Sequence, residues 1–256
     1  MPGRLDGEVA IVTGSTSGLG REIAGRFAAE GASVVVSGRD RDRGEAAAAA
    51  CEGAVFIAAD LTDEAQCAAM VDGARDRFGP ATVLVNNAVG GAGSGVHDGP
   101  VTEVTATDFE AVLRVDLVAA ATMCRLVIPQ MLEAGHGAIV NISSRAAELA
   151  SPGLAAYAAA KGGLNALTRS ITMDFARLGI RCNTVQPGYI LHDRRDAGLT
   201  PERRARLEGQ HLTRLATAAD VAYAVTFLAS REAETISGVT LPVDGGSSAV
   251  RALTFG

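Results

Sequence analysis

The chain reads as an α/β protein built on a parallel sheet, and three observations predict this. Short β-rich apolar runs alternate with longer helical patterns along most of its length, which is how parallel strands joined by helical crossovers are written in sequence. The first such run leads directly into the glycine-rich turn Thr13-Gly14-Ser15-Thr16-Ser17-Gly18-Leu19-Gly20 and then into the helical pattern Arg21-Glu22-Ile23-Ala24. At 256 residues, 48% hydrophobic and without a long low-complexity linker, the chain suits one domain over residues 1–256 rather than two small ones.

In chain order, the apolar runs predict strands at Val9–Thr13, Ser33–Ser37, Val55–Ala58, Thr82–Asn86, Gly137–Ile142, Arg181–Val185 and Val239–Val243. Helices are predicted between them near 18–30, 41–51, 63–78, 107–132, 154–178 and 217–229. The alanine run 46–50, flanked by Arg and Glu, is a strong helix former. Thr107 with Glu110 fits a capping box at the start of the fourth helix, and Thr217 with Asp220 is a looser match at the last. Thr200-Pro201-Glu202 predicts a further short helix, a capping residue followed by proline in the first turn.

Composition excludes several classes. The formal net charge is −6, so a nucleic-acid partner has no electrostatic footprint. No stretch of about 18 uncharged apolar residues occurs and Met1-Pro2-Gly3-Arg4-Leu5-Asp6 lacks a signal-peptide core, which predicts no membrane partner and a cytoplasmic location. Cys51, Cys67, Cys124 and Cys182 are scattered and His97, His136 and His211 give no metal spacing, so neither a disulfide framework nor a metal site is expected.

Only one of the 23 basic residues is lysine. Lys161 lies four positions after a tyrosine in Tyr157-Ala158-Ala159-Ala160-Lys161, and residues four apart share a helix face. A lysine ammonium is a compact charge, unlike the wide fork of arginine. Close to a phenol it favours tyrosinate, tuning Tyr157 toward acid/base work. The same spacing also arises as an incidental pair. The glycine turn, Gly-x-x-x-Gly-x-Gly, departs from the Gly-x-Gly-x-x-Gly pattern, but its place after the first strand and at the head of a helix suits a phosphate.

Taken together, Thr13–Gly20, Asn86-Asn87-Ala88, Ser144, Tyr157 with Lys161, and Pro187-Gly188 resemble the short-chain dehydrogenase/reductase family, in family order and at family spacing over about residues 6–248. The resemblance implies a Rossmann-like doubly wound parallel sheet of about seven strands with helices on both faces. It also implies a nicotinamide dinucleotide at the strands' C-terminal ends, and a homotetramer or dimer joined partly through the segments near 107–132 and 154–178. By the same resemblance, Tyr157 is the acid in ketone reduction and the base in alcohol oxidation. Lys161 lowers the phenol's pKa and binds the nicotinamide ribose, and Ser144 holds the substrate oxygen, with Ser143 as the competing hydroxyl. The cofactor-binding set it implies is Gly14, Thr16, Ser17, Gly18, Leu19, Gly20, Asp60, Leu61, Asn87, Ala88, Tyr157, Lys161, Pro187, Gly188 and Ile190. For Asp60 a helix-start role stays open.

The chain departs from the family pattern at several places. Asp116 stands where the family carries an Asn that holds a relay water, and a carboxylate there would also pair with Lys161 and shift the pH optimum. Gly38 stands where an acidic residue normally binds the adenosine ribose, and Arg39 beside it suits a 2′-phosphate, so NADP(H) is favoured over NAD(H). Asp40 turning inward would oppose that preference. Val89 replaces a family Gly ahead of the glycine-rich stretch 90–95, and His192 replaces a Thr. Segment 189–214 is the expected substrate lid; its six arginines, Arg194, Arg195, Arg203, Arg204, Arg206 and Arg214, suit either an anionic substrate or a solvated, ion-paired face. The expected activity is hydride transfer between NADP(H) and a ketone or secondary alcohol, a 3-oxoacyl-type substrate among the options. The alternatives are an NAD-dependent sugar, polyol or alcohol dehydrogenase and a non-catalytic dinucleotide-sensing scaffold.

Overall fold

The computed structural model describes residues 3–90, 97–149, 151–191, 196 and 198–249. Seven strands, β1 (Val9–Val12), β2 (Ser33–Gly38), β3 (Ala54–Ala58), β4 (Val83–Asn86), β5 (Gly137–Ile142), β6 (Ile180–Pro187) and β7 (Thr240–Val243), form one sheet in the order β3-β2-β1-β4-β5-β6-β7. Every neighbouring pair is parallel. The interior strands are buried on both faces because helices cover both, with β1 wholly apolar and β6 carrying the buried polar residues Asn183, Thr184 and Gln186. In β1, Ala10 and Val12 join the core beneath α1 (Gly18–Ala29), α2 (Arg41–Ala49) and α8 (Ala218–Ala229). Val9 and Ile11 join the opposite core, beneath α3 (Glu64–Phe78), α5 (Ala119–Ala134) and α6 (Ala155–Phe175). This is the doubly wound Rossmann-like arrangement that the alternating pattern predicts.

All seven strands and the main helices fall close to their predicted places, with three differences. The span 107–132 is two helices, α4 (Ala106–Leu113) and α5, joined by a π-helical turn over Arg114–Val118. Such turns carry one residue more than the α-helical repeat, a register change that periodicity does not reveal and that often marks a functional site. The cap of α4 is Thr105, whose Oγ1 accepts from the Asp108 N–H, not the predicted Thr107 with Glu110. Strand β6 continues two residues past its expected end, through Gln186 and Pro187, and so carries the Pro187-Gly188 turn to the edge of the sheet. The capping box of Thr217 with Asp220 is present at α8, and α7 (Pro201–Glu208) starts behind Thr200 as expected.

The sheet order reverses between β1 and β4: α1 returns on one face, whereas α5 returns on the other. The strand ends there leave a crevice, the usual ligand position in such sheets. No helix among the described residues is long and apolar enough to cross a membrane.

Candidate active site

A cleft of about 1090 Å³ opens over the C-terminal ends of the strands. One wall is the glycine turn after β1, where the backbone itself demands glycine. Gly14 (φ 62°) and Gly18 (φ 53°) occupy the left-handed region. A Cβ on Gly20 would stand 2.4 Å from the Gly14 carbonyl oxygen and 2.5 Å from Asn87 Nδ2. Asn87 fastens this turn to the end of β4, donating from Nδ2 to the carbonyls of Thr13 (2.9 Å) and Gly14 (3.2 Å), while Thr13 Oγ1 accepts from the Asn87 and Ala88 N–H groups. Thr16, Ser17, Leu19 and the first turn of α1 face the cleft. A compact backbone cradle at a helix N-terminus fits a pyrophosphate.

At the far end, Gly38, Arg39, Asp40, Arg43, Asp60 and Leu61 line the cleft. Thr16 fills the space beside Gly38, where a Cβ would come within 2.6 Å of Thr16 Cγ2. Asp40 is the N-cap of α2: Oδ1 accepts from the Arg43 N–H (2.9 Å) and Oδ2 from Arg43 Nε (2.7 Å). Its pKa is lowered, first by that backbone bond and next by the guanidinium. The inward-turning Asp40 is thus replaced by a helix cap, and Arg43 joins Arg39 at this end. Asp60 does not start a helix, since Asp63 caps α3. The Asp60 carboxylate instead accepts from Thr62 N and Oγ1, which lowers its pKa, the backbone bond contributing most.

At the other end stand Ser144 and Tyr157. Ser144 is the N-cap of a 3-10 turn after β5 and is partly exposed to the cleft, its Oγ accepting from the Ala146 N–H. Ser143 is buried, and its Oγ donates to the Lys161 carbonyl at 3.3 Å. Both serines line the cleft; the Ser143 hydroxyl also holds α6 against β5. Lys161 lies under the cleft floor rather than in its wall, with 1% of its surface exposed. Its Nζ donates to the Ile142 carbonyl at 3.1 Å, lies 3.1 Å from Asp116 Oδ1 and stands 5.6 Å from the centre of the Tyr157 ring. Asp116 lies in the π-helical turn, and its Oδ2 accepts from the Gly90 N–H. Thr13, Asn86, Asp116 and Lys161 surround a void of about 10 Å³, room for about one water. The ion pair expected from Asp116 is present.

Pro187, Gly188 and Ile190 line the cleft behind β6, with Tyr189 donating to Asp196 Oδ1 at 2.7 Å. Among the described residues no lid arginine lines the cleft. Arg204 pairs with Glu208 at 2.9 Å and Arg214 with Asp220 at 2.6 Å, which is the ion-paired face. His192, Arg194 and Arg195 lie outside the described residues. Three contributors escaped sequence reasoning: Arg43, Arg114 in the cleft wall, and Asp98, which accepts from the Ala156 and Tyr157 N–H groups. Arg43 alone had a local signal, three residues after a helix cap.

Residues 14–248 match the family model described as Enoyl-(Acyl carrier protein) reductase. The 2-(R)-hydroxypropyl-CoM dehydrogenase of Xanthobacter autotrophicus is 38% identical over 257 residues, covering 94% of this chain and 99% of that protein. The chain belongs to the short-chain dehydrogenase/reductase family. It is an oxidoreductase of the dehydrogenase type, acting on CH–OH and carbonyl groups. Another relative, the NADP-dependent (R)-specific alcohol dehydrogenase of Lentilactobacillus kefiri, is 36% identical over 97% of this chain and all of its own length (100%). The solved gluconate 5-dehydrogenase from Burkholderia cenocepacia, in complex with NADP and tartrate, superposes with a TM-score of 0.87 at 32% identity, covering 97% of this chain and 98% of that one. Short-chain dehydrogenase/reductases use NAD(P), and the glycine cradle, which has no room for a Cβ on Gly20, fits the pyrophosphate of such a group.

Proposed function

We propose that the chain is an NADP(H)-preferring oxidoreductase that interconverts a ketone and a secondary alcohol, with 3-oxoacyl-type compounds among its substrates. The observation that carries the cofactor preference is the commitment of Asp40 to Arg43 at a ribose end that also presents Arg39. With the Asp40 carboxylate turned to Arg43, the Arg39 guanidinium suits a 2′-phosphate. Gly14, Thr16, Ser17, Gly18, Leu19 and Gly20 would hold the pyrophosphate, Asp60 and Leu61 the adenine, and Asn87, Ala88, Pro187, Gly188 and Ile190 the remainder, with Tyr157 at the nicotinamide ribose and Lys161 in the floor beneath it. The bound nicotinamide supplies or accepts the hydride.

Ser144 Oγ orients the substrate oxygen, and the Tyr157 hydroxyl gives that oxygen its proton in reduction and takes it back in oxidation. Lys161 holds positive charge near the phenol, and Asp116 neutralises that charge and anchors the ammonium. Tyr189–Arg214 acts as the substrate lid of a single domain. Exposed Val118, Met173 and Leu178, on or beside α5 and α6, support assembly into a homotetramer or dimer.

Parallel fluorescence titration with NADPH and NADH tests the reading. Tighter NADPH binding that weakens about tenfold in Arg39→Ala, the loss of one charge-assisted contact of about 1.5 kcal/mol, is the expected result, together with NADPH-dependent reduction of ethyl acetoacetate. Tighter NADH binding would overturn the cofactor assignment, and no turnover would overturn the 3-oxoacyl assignment.

A further inference from the structure

Helix α6 carries Tyr157 and Lys161 but has no cap of its own. It opens behind Leu154, which has no side-chain acceptor, and the first turn of a helix leaves N–H groups without intrahelical partners. A dipeptide far away in sequence supplies them. Ala155 N donates to the Gly99 carbonyl at 3.2 Å, Ala156 N to Asp98 Oδ1 at 3.1 Å and Tyr157 N to Asp98 Oδ2 at 3.0 Å. The first bond within the helix follows at once, from Ala158 N to the Leu154 carbonyl at 2.9 Å. Both carboxylate oxygens are used, and one ends on the peptide nitrogen of Tyr157 itself. Asp98 Oδ1 also accepts from the Gly99 N–H at 2.9 Å, which holds the dipeptide in its capping shape.

Asp98 belongs to the connection between β4 and α4. The start of that connection is tied as well, through Gly90 N–H to Asp116 Oδ2, and Asp116 Oδ1 lies against Lys161. Two described points of that connection are thus tied to the site, Gly90 beside Lys161 through the Asp116 carboxylate and Asp98 to Tyr157 through its own.

We propose that Asp98 is a positioning residue for the reaction: capping α6 from across the fold, it sets the height and angle of the first turn and so the reach of the Tyr157 hydroxyl toward Ser144 and the substrate oxygen. This inference rests on the reading of Tyr157 as the proton donor. A carboxylate suits the task because two acceptors point in parallel at two successive N–H groups and its charge favours the positive end of the helix. Proton transfer demands close alignment, and small misplacements at a distance cost up to about 100-fold in rate.

The test compares Asp98→Ala, Asp98→Asn and Tyr157→Phe with the intact protein. Three readouts are taken: NADPH-dependent reduction of ethyl acetoacetate, NADPH binding by fluorescence, and hydrogen exchange of the amides at 156 and 157. Asp98→Ala is expected to lower kcat about 10- to 100-fold, to leave the NADPH dissociation constant unchanged, and to speed exchange at both amides. Asp98→Asn keeps one acceptor oxygen and recovers part of each effect. Unchanged exchange in Asp98→Ala, which needs no turnover to measure, overturns the proposal. So does an unchanged kcat, or a loss of kcat matched by loss of NADPH binding. If Tyr157→Phe keeps its turnover, the reading of Tyr157 fails and takes this inference with it. If Tyr157→Phe is inactive while Asp98→Ala is not, only the role of Asp98 fails.

Discussion

The Lys161–Asp116 pair allows a quantitative test of how this site is held. Both side chains are almost wholly buried, at 2% and 0% exposure, with 3.1 Å between Nζ and Oδ1. Replacing Lys161 by Met leaves the Asp116 carboxylate in the interior with only the Gly90 N–H to satisfy it. Replacing Asp116 by Leu leaves the ammonium with only the Ile142 carbonyl. Stranding one member of a buried pair costs about 3–5 kcal/mol, whereas exchanging both for apolar groups of similar volume is often close to neutral. If the two losses were independent, the double variant would lose about 6–10 kcal/mol; with the pair coupled it should stay within about 2 kcal/mol of the parent. Urea unfolding at one fixed protein concentration and without cofactor reads this directly. Each single variant should lower the midpoint by about 1–2 M, for a slope of about 3 kcal/mol/M, and the double variant should recover most of it. Additive losses would refute the reasoning, since they would mean that the two charges are stabilised separately and not by each other.

Three other outcomes follow from the same coordinates. Gly20→Ala puts a methyl group 2.4 Å from the Gly14 carbonyl oxygen; overpacking of about 1–3 kcal/mol should weaken NADPH binding about 10- to 100-fold in a fluorescence titration. Gly44→Ala drives a Cβ to 2.1 Å from the Phe56 ring and should lower Tm by about 2–10 °C in calorimetry, with the cleft untouched. Asp220→Asn removes the carboxylate that accepts from Arg214 and from Thr217 N–H at the head of α8 and should cost about 1 kcal/mol at pH 7. The Arg214 bond, first of all, holds the Asp220 pKa well below its ordinary value. Its stabilisation is therefore complete above the unfolded value of about 3.9 and is lost as pH falls through the folded one. The stability gap between the parent and Asp220→Asn should narrow steadily below about pH 4.

Much of this protein is determined by local rules that a single sequence carries. A strand covered on both faces is mostly apolar and a crossover helix shows a helical repeat, so seven strands and most of their helices were legible in order, even where polar residues such as Asn141 and Asn183 are buried among the apolar ones. The glycine turn was legible too, because Gly14 and Gly18 take a backbone conformation that other residues rarely adopt. Tyr157 and Lys161 were legible as a pair because one turn of helix fixes their spacing. Only the tertiary structure decided what surrounds them. The π-helical turn that turns Asp116 toward Lys161 leaves no mark on hydrophobic periodicity. That the Ser143 hydroxyl is engaged with the Lys161 carbonyl while Ser144 caps a 3-10 turn depends on how β5 ends against α6. Arg43 joins Arg39 in the cleft wall because Asp40 caps α2. Asp98 caps a helix remote in sequence, accepting from the Ala156 N–H 58 residues after it. Strand and helix formation depend on neighbours a few bonds apart, whereas these contacts form only when the sheet order has brought remote segments together.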